Sequence, residues 1–209
     1  MKSAPVVPPG GQFPTPTNSS TPLLALRCSP ALRPYLPEDA TTPSDPSSVA
    51  IIIDTPITFS YITGAAPVTL PSSSPSAAGV LDVTVTVNGK TLANGSVPLN
   101  STGNTLPFSL SSLQPQQGAY NITCSGTFSS QSFQTTASLT YLPAPPSSIG
   151  SVTKTDLRTG ALLARPADGK GGDYESVFPI GFYTQFNGYL ANNLSVLGDL
   201  KAQGCVPPH

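Results

Sequence analysis

Tryptophan is absent from this 209-residue chain, methionine occurs once, and the one histidine is the last residue, His209. Without an internal imidazole, the usual zinc-ligand sets and the Ser-His-Asp arrangement have neither nitrogen ligand nor base. Charge is scarce too: 9% of residues are charged, against roughly a quarter in ordinary soluble domains, and the formal net charge is −1. Such a surface offers no cation array to a phosphate backbone, so nucleic acid is not an expected partner. Long apolar runs are missing; a stretch such as 49–53 is far short of the roughly 20 residues that a membrane-spanning helix needs, and no span is expected. None of the three cysteines, Cys28, Cys124 and Cys205, forms a CxxC pair, and no glycine-rich phosphate loop occurs. No metal and no cofactor are therefore expected.

Proline is plentiful, and its distribution divides the chain. Residues 1–48 carry about 11 of the 25 prolines among many Ser and Thr. Proline fixes φ and lacks an N–H, so this segment reads as a partly disordered lead-in, with one candidate strand at 23–28. From 49 to 145 the pattern becomes that of short strands between turns. In residues 81–87, LDVTVTV, apolar and polar side chains alternate without a miss, the period of a strand with one buried face. Asn88-Gly89 follows at once, the strongest short hairpin signal. Further β-rich runs at 49–54, 57–62, 105–110, 119–124 and 133–142 predict an antiparallel β-sandwich. Gly118-Ala119-Tyr120-Asn121-Ile122-Thr123-Cys124 resembles the late strand of immunoglobulin-like domains, where a Tyr precedes a Cys, and the resemblance implies that architecture. Strand parity puts Cys124 on the inner face with Ile122 and turns Asn121 outward. Cys28 is the favoured partner for a disulfide across the core, with two buried thiols as the alternative.

Five N-x-S/T sequons, at Asn18, Asn94, Asn100, Asn121 and Asn193, exceed the about two that chance supplies from nine asparagines. They predict an extracellular, N-glycosylated protein in which sugars hydrate a charge-poor surface. The opening MKSAPVVPPGG has no apolar segment of signal-peptide type, so no signal peptide is visible, and the expectation is that the leader lies outside this sequence.

Residues 146–209 change character. A polar hairpin near Lys154 leads into an apolar strand ending at Leu163, and 177–183 is a short continuous apolar run of the kind buried on both faces of a parallel sheet. Leu190, Leu194, Leu197 and Lys201 then fall on one stripe of a helix expected over 188–203, with Asn187 as its cap and Gly204 beyond its end. Strand, helix and the start of another strand at Cys205-Val206 make a βα unit.

This stretch, with Gly169-Lys170, Phe178-Pro179-Ile180-Gly181-Phe182-Tyr183 and Lys201-Ala202-Gln203-Gly204, is similar to the opening of the (β/α)8 barrel in glycoside hydrolases that place a β-sandwich before the barrel, as β-galactosidases and β-mannosidases do. The resemblance implies the N-terminal portion of a secreted carbohydrate-active enzyme, a mainly β chain of immunoglobulin-like sandwich plus truncated βα unit with one C-terminal helix. It also implies carbohydrate as a partner and Phe182 and Tyr183 as sugar-facing aromatics at a strand end. Glycoside hydrolysis needs two carboxyl groups across a sugar ring, which barrel enzymes carry on later strands. Asp54, Asp82, Asp156, Asp173, Glu175 and Asp199 are scattered and read as surface carboxylates. No catalytic residue is therefore assigned, and the portion is expected to be inactive alone. Two other readings stay open: a stand-alone extracellular module for carbohydrate binding, adhesion or cell-surface structure, and a structural protein without a ligand.

Overall fold

A computed structural model describes residues 15–41, 46–71, 79–146, 152–165, 172–178, 187 and 192–202. These residues are mainly β, with antiparallel sheets and two short helices.

The centre is a four-stranded antiparallel sheet in the order β11-β10-β7-β8, formed by β7 (Val80–Val87), β8 (Lys90–Pro98), β10 (Tyr120–Phe128) and β11 (Gln131–Leu139). Its two hairpins follow from the turn residues. Asn88 and Gly89 have φ of 50° and 75°, and Ser129 and Ser130 have 45° and 65°. Positive φ at both central positions gives the turn twist that matches paired strands. The alternation along β7 is realised in space: Leu81, Val83, Val85 and Val87 are buried, while Asp82 and Thr84 are exposed. Gly126 on β10 lies under Leu81, where a Cβ would come within 2.7 Å of a Leu81 methyl.

Across the core lies a three-stranded sheet, β2-β4-β9, from β2 (Arg27–Pro30), β4 (Ala50–Asp54) and β9 (Asn104–Pro107). Ile51, Ile53 and Leu106 from this sheet share one apolar cluster with Leu81, Val83, Val85, Ile122 and Leu139 from the other. The two layers form the β-sandwich, and the Cys28–Cys124 disulfide joins β2 to β10 through it. Tyr120 adds a corner: its hydroxyl donates to the Gln114 carbonyl six residues upstream and accepts the Gln114 N–H, as the corner tyrosine of immunoglobulin-like sandwiches does.

Residues 15–41, read from composition as part of a lead-in with one candidate strand at 23–28, carry strands on both sides of Leu26. They supply β1 (Asn18–Ala25), β2, β3 (Leu32–Arg33) and α1 (Pro37–Thr41). β1 is the middle strand between β5 (Ile57–Ser60) and β6 (Ala65–Pro67). The prolines are accommodated where a missing N–H costs least. Pro22 sits inside the register shift of β1, while Pro30 ends the outer strand β2 and Pro67 ends the outer strand β6. The Arg33–Pro34 peptide bond is cis. Residues 1–14 and 42–45 lie outside the described residues.

The C-terminal part also differs from expectation. β12 (Lys154–Asp156), β13 (Ala161–Ala164) and β14 (Glu175–Val177) form an antiparallel sheet whose fourth strand is β3. The start of the run expected as a parallel strand, at Val177, thus pairs antiparallel with Leu162, because β14 runs back along the edge of β13 that β12 leaves free. Residues 179–186 lie outside the described residues. Of the expected 188–203 helix, α2 (Val196–Ala202) is present. Residues 192–195 form a turn instead, since the Asn193 carboxamide oxygen accepts the backbone N–H and the hydroxyl of Ser195 at 3.1 and 2.7 Å. Side-chain capture of a nearby N–H competes with helix and favours a start just beyond it. Residues 188–191, Leu190 among them, and Gly204 to Val206 lie outside the described residues.

Candidate functional site

A cluster of acidic and basic side chains joins α1 to the C-terminal sheet. Period two along β12 turns Lys154 and Asp156 to one side, and both are buried, Lys154 to 1% exposure. The Lys154 ammonium donates to both carboxylate oxygens of Asp39 at 2.8 and 2.9 Å and reaches Glu38 at 3.5 Å. Asp39 also accepts the Leu36 N–H at 2.8 Å, which caps the first turn of α1. Arg165 pairs with Glu38, and the Tyr174 ring faces both cations, 4.1 Å from Lys154 and 5.0 Å from Arg165. Burial, followed by the Glu38 charge, pushes the Tyr174 phenol up to about 12. Nearby, Asp156 accepts Arg158 through its backbone N–H and both sides of its guanidinium, at 2.8–3.0 Å. Asp156 is thus a buried, paired carboxylate rather than the surface group its position in the sequence suggests. In this cluster the carboxylate oxygens are engaged by cations or backbone donors. It can hold α1 and β12 together; it presents no carboxyl pair across a cleft, which is what sugar hydrolysis requires.

Elsewhere the acids are likewise occupied or solvated. Asp54 accepts the Gly103 N–H at 2.7 Å, Asp82 accepts the Ser96 hydroxyl at 2.6 Å, and Asp173, Glu175 and Asp199 are exposed. Among the described residues no group of three or more His, Cys, Asp or Glu could hold a metal ion. Phe182 and Tyr183 lie outside the described residues.

The second feature is the outer face of the β11-β10-β7-β8 sheet. Strand register aligns its side chains in rows across all four strands. One row is Thr136, Thr123, Thr86 and Thr91; the next is Gln134, Ser125, Thr84 and Asn94; the third is Ser132, Thr127, Asp82 and Ser96. Asp82 is the sole ionisable group in these rows. Two sequons stand on this face, with Asn121 opposite Ser138 and Asn94 opposite Thr84. Asn18, Asn100 and Asn193 lie on other elements, and all five sequon asparagines are exposed.

The third feature is apolar and unburied. A shallow groove runs between β13 and β14, lined by Gly160, Ala161, Leu162, Ser176, Val177 and Phe178. Phe178 is 86% exposed; Leu194, in the turn before α2, and Leu197, on α2, are 67% and 50% exposed.

The sequence points to the Cys28–Cys124 disulfide but not to the Lys154–Asp39 pair. The available signal was the Lys-x-Asp alternation of 154–156, which puts two charges on one strand face and therefore asks for partners of opposite sign. No helix of the described residues is long and apolar enough to cross a membrane. Comparison of the chain with protein-family models, with curated proteins and with solved structures finds no match.

Proposed function

We propose that this chain is the non-catalytic β-sandwich portion of a secreted, N-glycosylated carbohydrate-active protein of glycoside hydrolase type, inactive by itself. The observation that carries the reading is where its apolar surface lies. Of the eight large hydrophobic side chains left exposed among the described residues, Phe59, Tyr61 and Val80 lie earlier in the chain, and the other five fall after residue 160: Leu162, Val177 and Phe178 at the β13–β14 groove, Leu194 in the turn before α2 and Leu197 on α2. The patch that Leu162, Val177 and Phe178 form at the groove is the kind of exposed apolar surface that marks an interface in a soluble protein. In this reading a unit carrying the catalytic carboxyl pair covers it, and sugar is that unit's substrate. The Cys28–Cys124 disulfide and the five exposed sequons support an oxidising, secretory route.

The test uses the whole chain, secreted from a eukaryotic host. It turns over none of a panel of aryl glycosides, and it binds an apolar fluorescent dye that the double substitution Phe178→Ser, Leu197→Ser largely displaces without altering the thermal midpoint. Glycoside hydrolysis by the chain alone, or dye binding indifferent to the substitutions, overturns the reading. Retention of the chain on an insoluble neutral polysaccharide would favour the stand-alone carbohydrate-binding module instead.

A further inference from the structure

We infer that the outer face of the four-stranded sheet is a sugar-bearing face, covered by the chain's own N-linked glycans on Asn94 and Asn121. The inference rests on the secreted-glycoprotein reading above and adds where the sugars lie and what they touch.

A sequon on a strand has a geometric property that one in a loop lacks. Asn at i and Ser or Thr at i+2 project from the same face, while the middle residue turns inward. Both sequons obey this. Ile122, between Asn121 and Thr123, is fully buried; Gly95, between Asn94 and Ser96, sits against Leu106, where a Cβ would come within 2.6 Å of a methyl. The core thus fixes both asparagines outward. They stand two strands apart, about 10 Å across the sheet and about 13 Å along it, so two branched sugars reach over the same area. Around them the face offers hydroxyl and amide groups and almost no charge, with Asp82 already held by Ser96. Neutral hydroxyls are matched in hydrogen-bond chemistry by the hydroxyls of a sugar, which both donate and accept.

Attachment is a group transfer from a glycosyl diphosphate donor. The Asn Nδ2 attacks the anomeric carbon, a C–N bond forms, the C–O bond to the diphosphate breaks, and the diphosphate leaves as the amide gives up a proton. Asn121 is paired with Ser138 of β11, and from Ile122 onward β10 is paired with β7 as well, so at Asn121 the transfer precedes closure of the sheet. Asn100 and Asn193, in turns, carry no such order and serve as internal controls.

The experiment is site-resolved release of sugar by an endoglycosidase from the full chain secreted by a eukaryotic host, native and denatured, read by glycopeptide mass spectrometry. The expected result is occupancy at Asn94 and Asn121, with release from native protein slowed about tenfold relative to denatured protein, the bias that one or two net hydrogen bonds supply. Asn100 and Asn193 release at the same rate in both. The variant Thr84→Val, Ser125→Val removes hydroxyls beside Asn94 and leaves every sequon intact; it brings release at Asn94 toward the turn sites. Native release at Asn94 and Asn121 as fast as at Asn100 and Asn193 overturns the inference. So does sugar at the turn sites with none at Asn94 and Asn121, which leaves the secretory reading standing. No sugar at any site overturns both.

Discussion

At the scale of single residues, Lys154 is a buried cation that needs a partner. At 1% exposure its ammonium is met by both carboxylate oxygens of Asp39, and the Tyr174 ring lies over it. Removing one partner of a buried pair strands the other, so Asp39→Ala should cost about 3–5 kcal/mol in a denaturant titration, whereas the double change Asp39→Leu, Lys154→Met should cost much less. Equal losses in the two variants would show that the pair is not the reason. Tyr35 is the other demanding residue. Its buried hydroxyl shares its one proton between the Ser48 and Ala50 carbonyls, at 3.0 and 3.1 Å, and burial pushes its phenol from 10.0 up to about 12. The unfolded phenol therefore ionises first: this contribution to stability is complete below about pH 10 and is lost as pH rises toward about 12, at about 1.4 kcal/mol per pH unit. Unfolding titrations across that window should show the decline in the native chain and a shallower one in Tyr35→Phe, which also loses about 1–2 kcal/mol at neutral pH. An identical slope in the variant would assign the decline to other groups.

Among elements, legibility in the sequence follows how much of the pattern is local. The strand at β7 announces itself, since a solvated face and a core face write strict alternation, and Asn88-Gly89 fixes the register of β8. Of β1 and β2 only the apolar run at 23–28 shows in the sequence, because proline-rich composition dominates the rest of their neighbourhood. Pro22 and Pro30 argue against strands until the register shift and the outer position that accommodate them are seen, and neither is a local property. The antiparallel turn of β14 is hidden for a related reason: an apolar run does not state which neighbour it pairs with, and its sheet is closed by β3 from the far end of the chain. The disulfide is the element-level counterpart of these long-range pairings. It ties β2 to β10 across a sequence separation of 96, and by the chain-entropy argument its loss should cost about 4–5 kcal/mol. Cys28→Ala, Cys124→Ala should lower the denaturation midpoint accordingly under oxidising conditions and make it insensitive to reductant; a midpoint unchanged from the native chain would mean that the bond constrains nothing.

For the molecule as a whole, the same scarcity that empties the sequence of chemistry shapes its surface. With a formal net charge of −1, the chain has little electrostatic repulsion to keep copies apart. Hydration must then come from neutral groups, the hydroxyl rows of the four-stranded sheet and the sugars proposed for the sequons. The candidate site was legible to the extent that a motif is written in three consecutive residues, as at Asn121-Ile122-Thr123. That two sequons share one face could not be read, because it depends on β8 and β10 flanking β7. The account stands on the chain being an extracellular glycoprotein, and the intact mass of the secreted protein tests that most directly. It should exceed the 21.4 kDa of the polypeptide and fall back toward that value on enzymatic removal of the sugars, with each sugar-bearing Asn returned as Asp. A secreted chain already at the polypeptide mass, with every sequon Asn intact, would contradict it.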